Sequence, residues 1–165
     1  MNRDTRPDGS LRTSLRPGDA ARIAARHGAI YAREHGFDAT FETYVAEPLE
    51  TFVRTRTARE RLWQAERDGE LIGCIAIVAA TPQTAQLRWF LVDPSARGAG
   101  LGRRLLAEAV QFSRDNGYET ILLWTVSRLT AAARLYQEFG FKLVEERPGI
   151  VWGVAEVEQR YEMRC

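Results

Sequence analysis

Hydrophobic positions along the chain fall into two periods, and the period changes near residue 62. Before it the spacing is helical. Ile23, His27, Ile30, Tyr31 and Glu34 share one face of a helix that begins at Pro17-Gly18-Asp19 and stops at His35-Gly36. Asp38 is placed to cap a second helix with the stripe Phe41, Tyr44, Val45, Leu49, Phe52 and Val53. Pro48 lies within that stripe and predicts a kink or break near Glu47. A weak alternation over residues 11–16 reads as a first edge strand. From residue 62 the period becomes two. Residues 62–67 and 71–79 read as strands joined at Asp68-Gly69, a strong hairpin signal. The run Trp89, Phe90, Leu91, Val92 is a buried strand that Asp93-Pro94 closes. A helix follows on Leu101, Leu105, Leu106, Ala109 and Phe112, ending near Asn116-Gly117. Residues 121–126 are continuously apolar, which predicts a strand buried on both faces. Thr130 is placed to cap a last helix with Ala132, Leu135, Tyr136 and Phe139 on one side, stopped by Gly140. Two strands remain, 141–146 and 151–161, the second interrupted at Gly153.

This order, β-α-α-β-β-β-α-β-α-β-β, is that of a mixed sheet with helices on its faces, an α/β (α+β) fold in one domain over residues 11–165. The polar stretch 1–10 reads as a disordered lead-in. Composition narrows the class further. Across 165 residues the formal charge is +1, so no large basic footprint argues for nucleic acid or an anionic membrane. Lys142 is the only lysine among the basic residues. Cys74 and Cys165 form neither a disulfide framework nor a metal set, which fits a reducing cytoplasm. No 18-residue apolar span and no signal sequence is visible.

Chemistry concentrates at residues 87–102, LRWFLVDPSARGAGLG. A strand, a loop with Gly98, Gly100 and Gly102, and a helix start at Leu101 and Arg103 make an anion site. The glycines let backbone N–H groups approach a ligand, and the helix dipole adds positive potential. The ligand expected is a phosphate or pyrophosphate. A nucleoside triphosphate loop would end in Gly-Lys-Ser/Thr, but this one ends Gly102-Arg103-Arg104. A dinucleotide fingerprint would need G-x-G-x-x-G and an acid about 20 residues on, whereas the next strand ends in Thr125, Val126 and Ser127.

Arg97, Gly100 and Gly102 match the Arg/Gln-x-x-Gly-x-Gly/Ala loop of the GNAT acyltransferases, and residues 135–141, LYQEFGF, resemble that family's L-Y-x-x-x-G-F segment. The chain therefore resembles a GNAT N-acetyltransferase over nearly its whole length. The segments HGAIYAREHGFD and VEQRYEM are further similar to the acetyltransferase half of bacterial proteins that also carry a MarR-type DNA-binding domain. The resemblance implies a mostly antiparallel sheet, acetyl-CoA as co-substrate without a metal, and an amine acceptor on a small molecule or protein. It implies pyrophosphate on the amides from Gly98 to Arg103, with Arg97 and Arg103 adding charge. It places the pantetheine arm on the backbone of Leu91 and Val92, and Tyr136 as general acid to the leaving thiolate. His27, Tyr31 and Glu34 share a helical face suited to the acceptor, and a homodimer paired through the last strands is expected. The family often has Asn where this chain has Leu129, with Ser127 and Thr130 as nearby substitutes. A strand glutamate used as base by some relatives is replaced by Arg88, Trp89 and Phe90. A catalytically silent acyl-CoA-binding module is thus the alternative. Trp89, Trp124 and Trp152 read as core rather than as a substrate platform.

Overall fold

The structure is a computed structural model that describes residues 10–165, so the expected lead-in lies, except for Ser10, outside the described residues. One seven-stranded sheet has the order β1-β2-β3-β4-β5-β7-β6. The strands are β1 (Ser10–Arg12), β2 (Arg61–Arg67), β3 (Glu70–Ala79), β4 (Thr84–Val92), β5 (Thr120–Val126), β6 (Lys142–Val151) and β7 (Val154–Arg164). Every neighbouring pair is antiparallel except β4 with β5. Helices α1 (Asp19–His35) and α2 (Ala39–Thr55) cover one face; α3 (Leu101–Asp115) and α4 (Thr130–Glu138) cover the other. The mixed, mostly antiparallel sheet flanked on both faces is the expected fold.

Two cores result, one on each side of the sheet. Ile72, Ile75 and Ile77 of β3 pack with Leu101, Leu105 and Leu106 of α3, while Leu71, Cys74 and Ala76 of the same strand pack with Ile23, Phe41 and Leu49. β3 is therefore the strand covered on both faces. β5, expected to be so, is not. Ile121 and Leu123 are buried, but Leu122 and Trp124 are only half-buried, because the second half of β5 faces a cleft instead of a helix.

Other differences have local causes. α2 continues through Pro48, because its stripe of Phe41, Val45, Leu49 and Phe52 is buried and outweighs one missing backbone hydrogen bond. Thr130 is the first residue of α4, and Leu129 is its N-cap, with no side-chain hydrogen bond. Gly153 does not interrupt a strand. Trp152 (φ 48°) and Gly153 (φ 79°) form the tight turn of the β6–β7 hairpin, and both strands run longer than their hydrophobic pattern shows. That pattern is faint because β6 is largely exposed, with Ile150 at 80%.

The start of α1 is fixed by a buried charge cluster. Asp19 accepts both arms of the Arg12 guanidinium at 2.8 and 3.0 Å, the Arg16 backbone N–H at 2.8 Å and the Gln64 amide at 2.9 Å. Burial disfavours its charged form, yet Arg12, Arg16 and Gln64 together hold the carboxyl well below the usual carboxylate range. The cluster ties β1, α1 and β2 into one corner. Asp19→Asn is expected to lower unfolding free energy by about 2–3 kcal/mol, read by chemical denaturation. The depressed carboxyl contributes fully above its unfolded value near pH 4 and is lost as pH falls below it, so the gap to wild type should narrow there.

Candidate functional site

β4 and β5 pair over only three residues, Thr84–Gln86 against Thr120–Leu122, and then diverge. A β-bulge turns β4 at that point. Its register against β3 slips between Cys74 and Ala76, Trp89 takes φ 51°, and the Cys74 thiol donates to the Trp89 carbonyl at 3.1 Å. Two cavities open along the split, an outer one of about 640 Å³ and an inner one of about 140 Å³.

The outer cavity ends on the glycine loop. Asp93 stops β4 by accepting from the Ser95 backbone N–H at 3.0 Å and hydroxyl at 2.7 Å. Gly98 (φ 82°) and Gly100 (φ 86°) then take the left-handed conformation. Gly100 caps α3 without a side chain, so the first-turn N–H groups of Leu101, Gly102 and Arg103 have no intrahelical acceptor. All three residues line the cavity, as do Gly98, Gly100 and, along β4, Leu91 and Val92. Gly102 faces Phe90 and Val92 of β4, where an added Cβ would make ordinary contact at 3.5 Å. Bare N–H groups at a helix N-terminus, reached through a cleft, suit a phosphate.

The two loop arginines face acids. Arg97 makes a two-armed pair with Glu34, at 2.8 and 2.6 Å, spanning from the loop to α1. That hydrogen-bonded pair raises the Arg97 guanidinium pKa and lowers that of the Glu34 carboxyl. Arg103 pairs with Glu138 of α4. Arg134 also lines the outer cavity, without an acidic partner among the described residues. Sequence reading passed over it because an exposed helical arginine carries no signal of its own. Thr130 lines this cavity; Ser127 does not.

The face of α1 expected to serve an acceptor divides between the cavities: His27 lines the inner one, Glu34 the outer, and Tyr31 both. His27 is 3% exposed. Its Nδ1 lies 2.9 Å from the Ile23 carbonyl, which assigns the proton to Nδ1 and leaves Nε2 buried without a partner. Burial pushes its pKa down to about 4 and pushes the Tyr31 phenol up to about 12. Tyr136 lines the inner cavity between Phe90, Phe141 and Tyr161, and burial raises its phenol strongly, so it stays protonated.

Trp89, Trp124 and Trp152, expected as core, line the inner cavity as well. Trp152 packs 4.9 Å from both Phe37 and Phe41 and 5.2 Å from Tyr44, closing an aromatic end wall. This wall was hidden in sequence, because it needs the 152–153 turn to meet α2. Among the described residues, no group of three or more His, Cys, Asp or Glu side chains is placed to hold a metal, and no helix is long and apolar enough to cross a membrane.

Residues 29–141 match the sequence model of the Acetyltransferase (GNAT) family. An uncharacterized N-acetyltransferase of Schizosaccharomyces pombe is 34% identical over 118 residues, covering 70% of this chain and 72% of that protein. Human N-acetyltransferase 8B is 32% identical over 95 residues, 54% of this chain, which spans only 42% of the human protein. The yncA protein of Salmonella typhimurium, solved with its cofactor acetyl-CoA, superposes with TM-score 0.75 at 18% identity, covering 94% of this chain and 92% of that one. The last likeness bears on the fold alone.

The buried neutral His27 makes stability pH-dependent. The unfolded imidazole takes a proton near pH 6.5, whereas the folded one resists to about pH 4. Stability is therefore complete above pH 6.5 and falls as pH drops towards 4, by about 3 kcal/mol in all. In His27→Phe that slope should vanish from the pH series of denaturation midpoints.

Proposed function

The chain belongs to the GNAT acetyltransferase family and is an acyltransferase, and on that footing we propose that it moves the acetyl group of acetyl-CoA to a primary amine by direct attack on the thioester. The observation that carries this reading is the divided cleft, with uncapped helix N–H groups at one end and an aromatic-walled chamber at the other.

In this reading Gly98, Gly100, Leu101, Gly102 and Arg103 receive the pyrophosphate on backbone N–H groups. Arg97 and Arg103 add charge by turning from Glu34 and Glu138. Leu91 and Val92 lie past the last β4–β5 pair, so their backbone is free on the cleft side to bond a peptide-like arm. Bound there, acetyl-CoA supplies an electrophilic carbonyl and a thiolate leaving group. The amine nitrogen forms the new bond to the acyl carbon as the carbon–sulfur bond breaks and its electrons pass to sulfur. Tyr136 donates its proton to that sulfur, and the nitrogen loses one to solvent. Burial raises the pKa of the phenol, and it disfavours a thiolate in the same apolar chamber too, so the two effects of burial oppose each other. His27 and Tyr31 face the acceptor, whereas Glu34 serves the loop.

The finer kinship with the acetyltransferase half of MarR-type fusions rests on the α1 and β7 segments quoted above. A homodimer through β6 is supported by its open edge, where Leu143 and Val144 are exposed. A silent acyl-CoA-binding module remains the second reading, because Leu129 offers the arm an apolar side chain at the mouth of both cavities.

CoA at 100 times its dissociation constant should add about 2.7 kcal/mol of stability, a rise of about 5–10 °C in Tm. Gly100→Asp should abolish that shift. A Cβ there meets nothing within 4 Å, and aspartate is strained less than most residues by the left-handed backbone, so a carboxylate opposes the phosphates. The variant's unliganded Tm, read alongside, reports whether the fold is kept. No shift in wild type at millimolar CoA overturns the reading. Tyr136→Phe should slow single-turnover acetyl transfer about 100-fold with CoA affinity unchanged. An unaltered rate removes Tyr136 from the chemistry, and absence of turnover across all amines favours the silent module.

A further inference from the structure

The inner cavity holds more unsatisfied chemistry than a generic amine requires. Arg88 lines it with no carboxylate partner among the described residues; its guanidinium lies 5.0 Å from the Trp89 ring centroid. Consecutive residues of a strand normally point to opposite faces. Here the bulge at Trp89 brings both Arg88 and Trp89 to the same chamber. Trp89 is 8% exposed, and its Nε1–H is buried without an acceptor. The Arg88 guanidinium, unpaired on the chamber wall above the Trp89 ring, forms a receptor for a carboxylate.

Acceptor groups stand elsewhere in the chamber. Glu158 of β7, opposite Val126 of β5, lines the cavity with no hydrogen bond or ion pair among the described residues. Buried Nε2 of His27 is the other unpaired acceptor. The neighbouring arginines are not available in the same way. Arg147 is paired with Glu145 and Arg160 with Glu162, both stacked on Trp124. The end wall of Phe37, Phe41, Tyr44 and Trp152 is apolar. The inner volume of about 140 Å³ suits one small molecule.

We propose that the acceptor is a free α-amino acid with an apolar side chain, its carboxylate held by Arg88 and its amino group drawn by Glu158. This rests on the acetyl-transfer reading and names the substrate class of that site. Charge complementarity supports it. The zwitterion brings one anion and one cation to a chamber whose wall holds one unpaired cation and one unpaired anion. The amino group must shed its ammonium proton before attack. Glu158 first holds the cation, which loses one proton to solvent. The neutral nitrogen then forms the amide bond as the thioester carbon–sulfur bond breaks, and the electrons and the Tyr136 proton pass to sulfur. The nitrogen's second proton leaves to solvent.

The test uses the full chain and two matched pairs, L-leucine with isopentylamine and L-phenylalanine with phenethylamine. Each amino acid should exceed its carboxylate-free partner in kcat/KM by about 100-fold or more. Isothermal titration into protein saturated with CoA should detect the amino acids and not the amines. Arg88→Met should lower kcat/KM for the amino acids about 100-fold, leaving the amines and the CoA dissociation constant unchanged, which collapses the discrimination. Equal use of both members of a pair, faster acetylation of a lysine-containing peptide, or no amino-acid binding by protein that still binds CoA each overturns the proposal. Failure to bind CoA is a different result and overturns the acetyl-transfer reading itself.

Discussion

The structure depends on the short parallel contact between β4 and β5. Three residue pairs hold the two halves of the sheet together, after which backbone groups on both strands lose their ladder partners. Unpaired N–H and C=O groups inside a protein are costly, so the split has to be braced. The Cys74 thiol takes one freed carbonyl, that of Trp89, at the bulge. On the other side of β4, α3 is seated tightly. At Gly73 an added Cβ would sit 3.0 Å from both Leu101 and the Leu91 carbonyl, so a side chain there would push the first turn of α3 away from the sheet. The helix N-terminus and the open strand edge are thereby fixed relative to each other.

The same split explains why polar and apolar chemistry share one chamber. Where strands diverge, the gap is only partly covered, so Trp124 of β5 and Phe90 of β4 are half-buried, and that cover comes from α1, α2 and the β6–β7 turn. Aromatic side chains from these elements close the space without filling it. His27, Trp89 and Tyr136 keep polar atoms in a poorly solvated site, where burial holds the His27 imidazole and the Tyr136 phenol neutral. Such groups cost stability unless a ligand completes them.

Much of this was legible in sequence because the signals were local. Asp68-Gly69 set the first hairpin. Gly98, Gly100 and Gly102 after a buried strand marked the loop, and the stripes on α1, α2 and α3 gave the two covered faces. What escaped was long-range. The pattern of residues 121–126 shows apolar side chains but not that one face looks onto a cleft. The bulge at Trp89 has no glycine to announce it, and it turns Trp89 to the face that Arg88 already occupies. The exposed β6 has no alternation to read, so the turn at Trp152-Gly153 looked like a flaw in one strand, and the aromatic wall it completes was missed. The Glu34–Arg97 pair joins residues 63 positions apart, beyond the reach of helical spacing.

That pair also bears on salt. Any phosphate ligand drawing on Arg97 must displace a carboxylate already seated there, so one anion is exchanged for another on a half-exposed guanidinium. Mobile ions weaken both the contact that breaks and the contact that forms. Ionic strength therefore acts largely on the reactant and product sides alike. Affinity at this loop falls less steeply with added electrolyte than its complement of arginines implies.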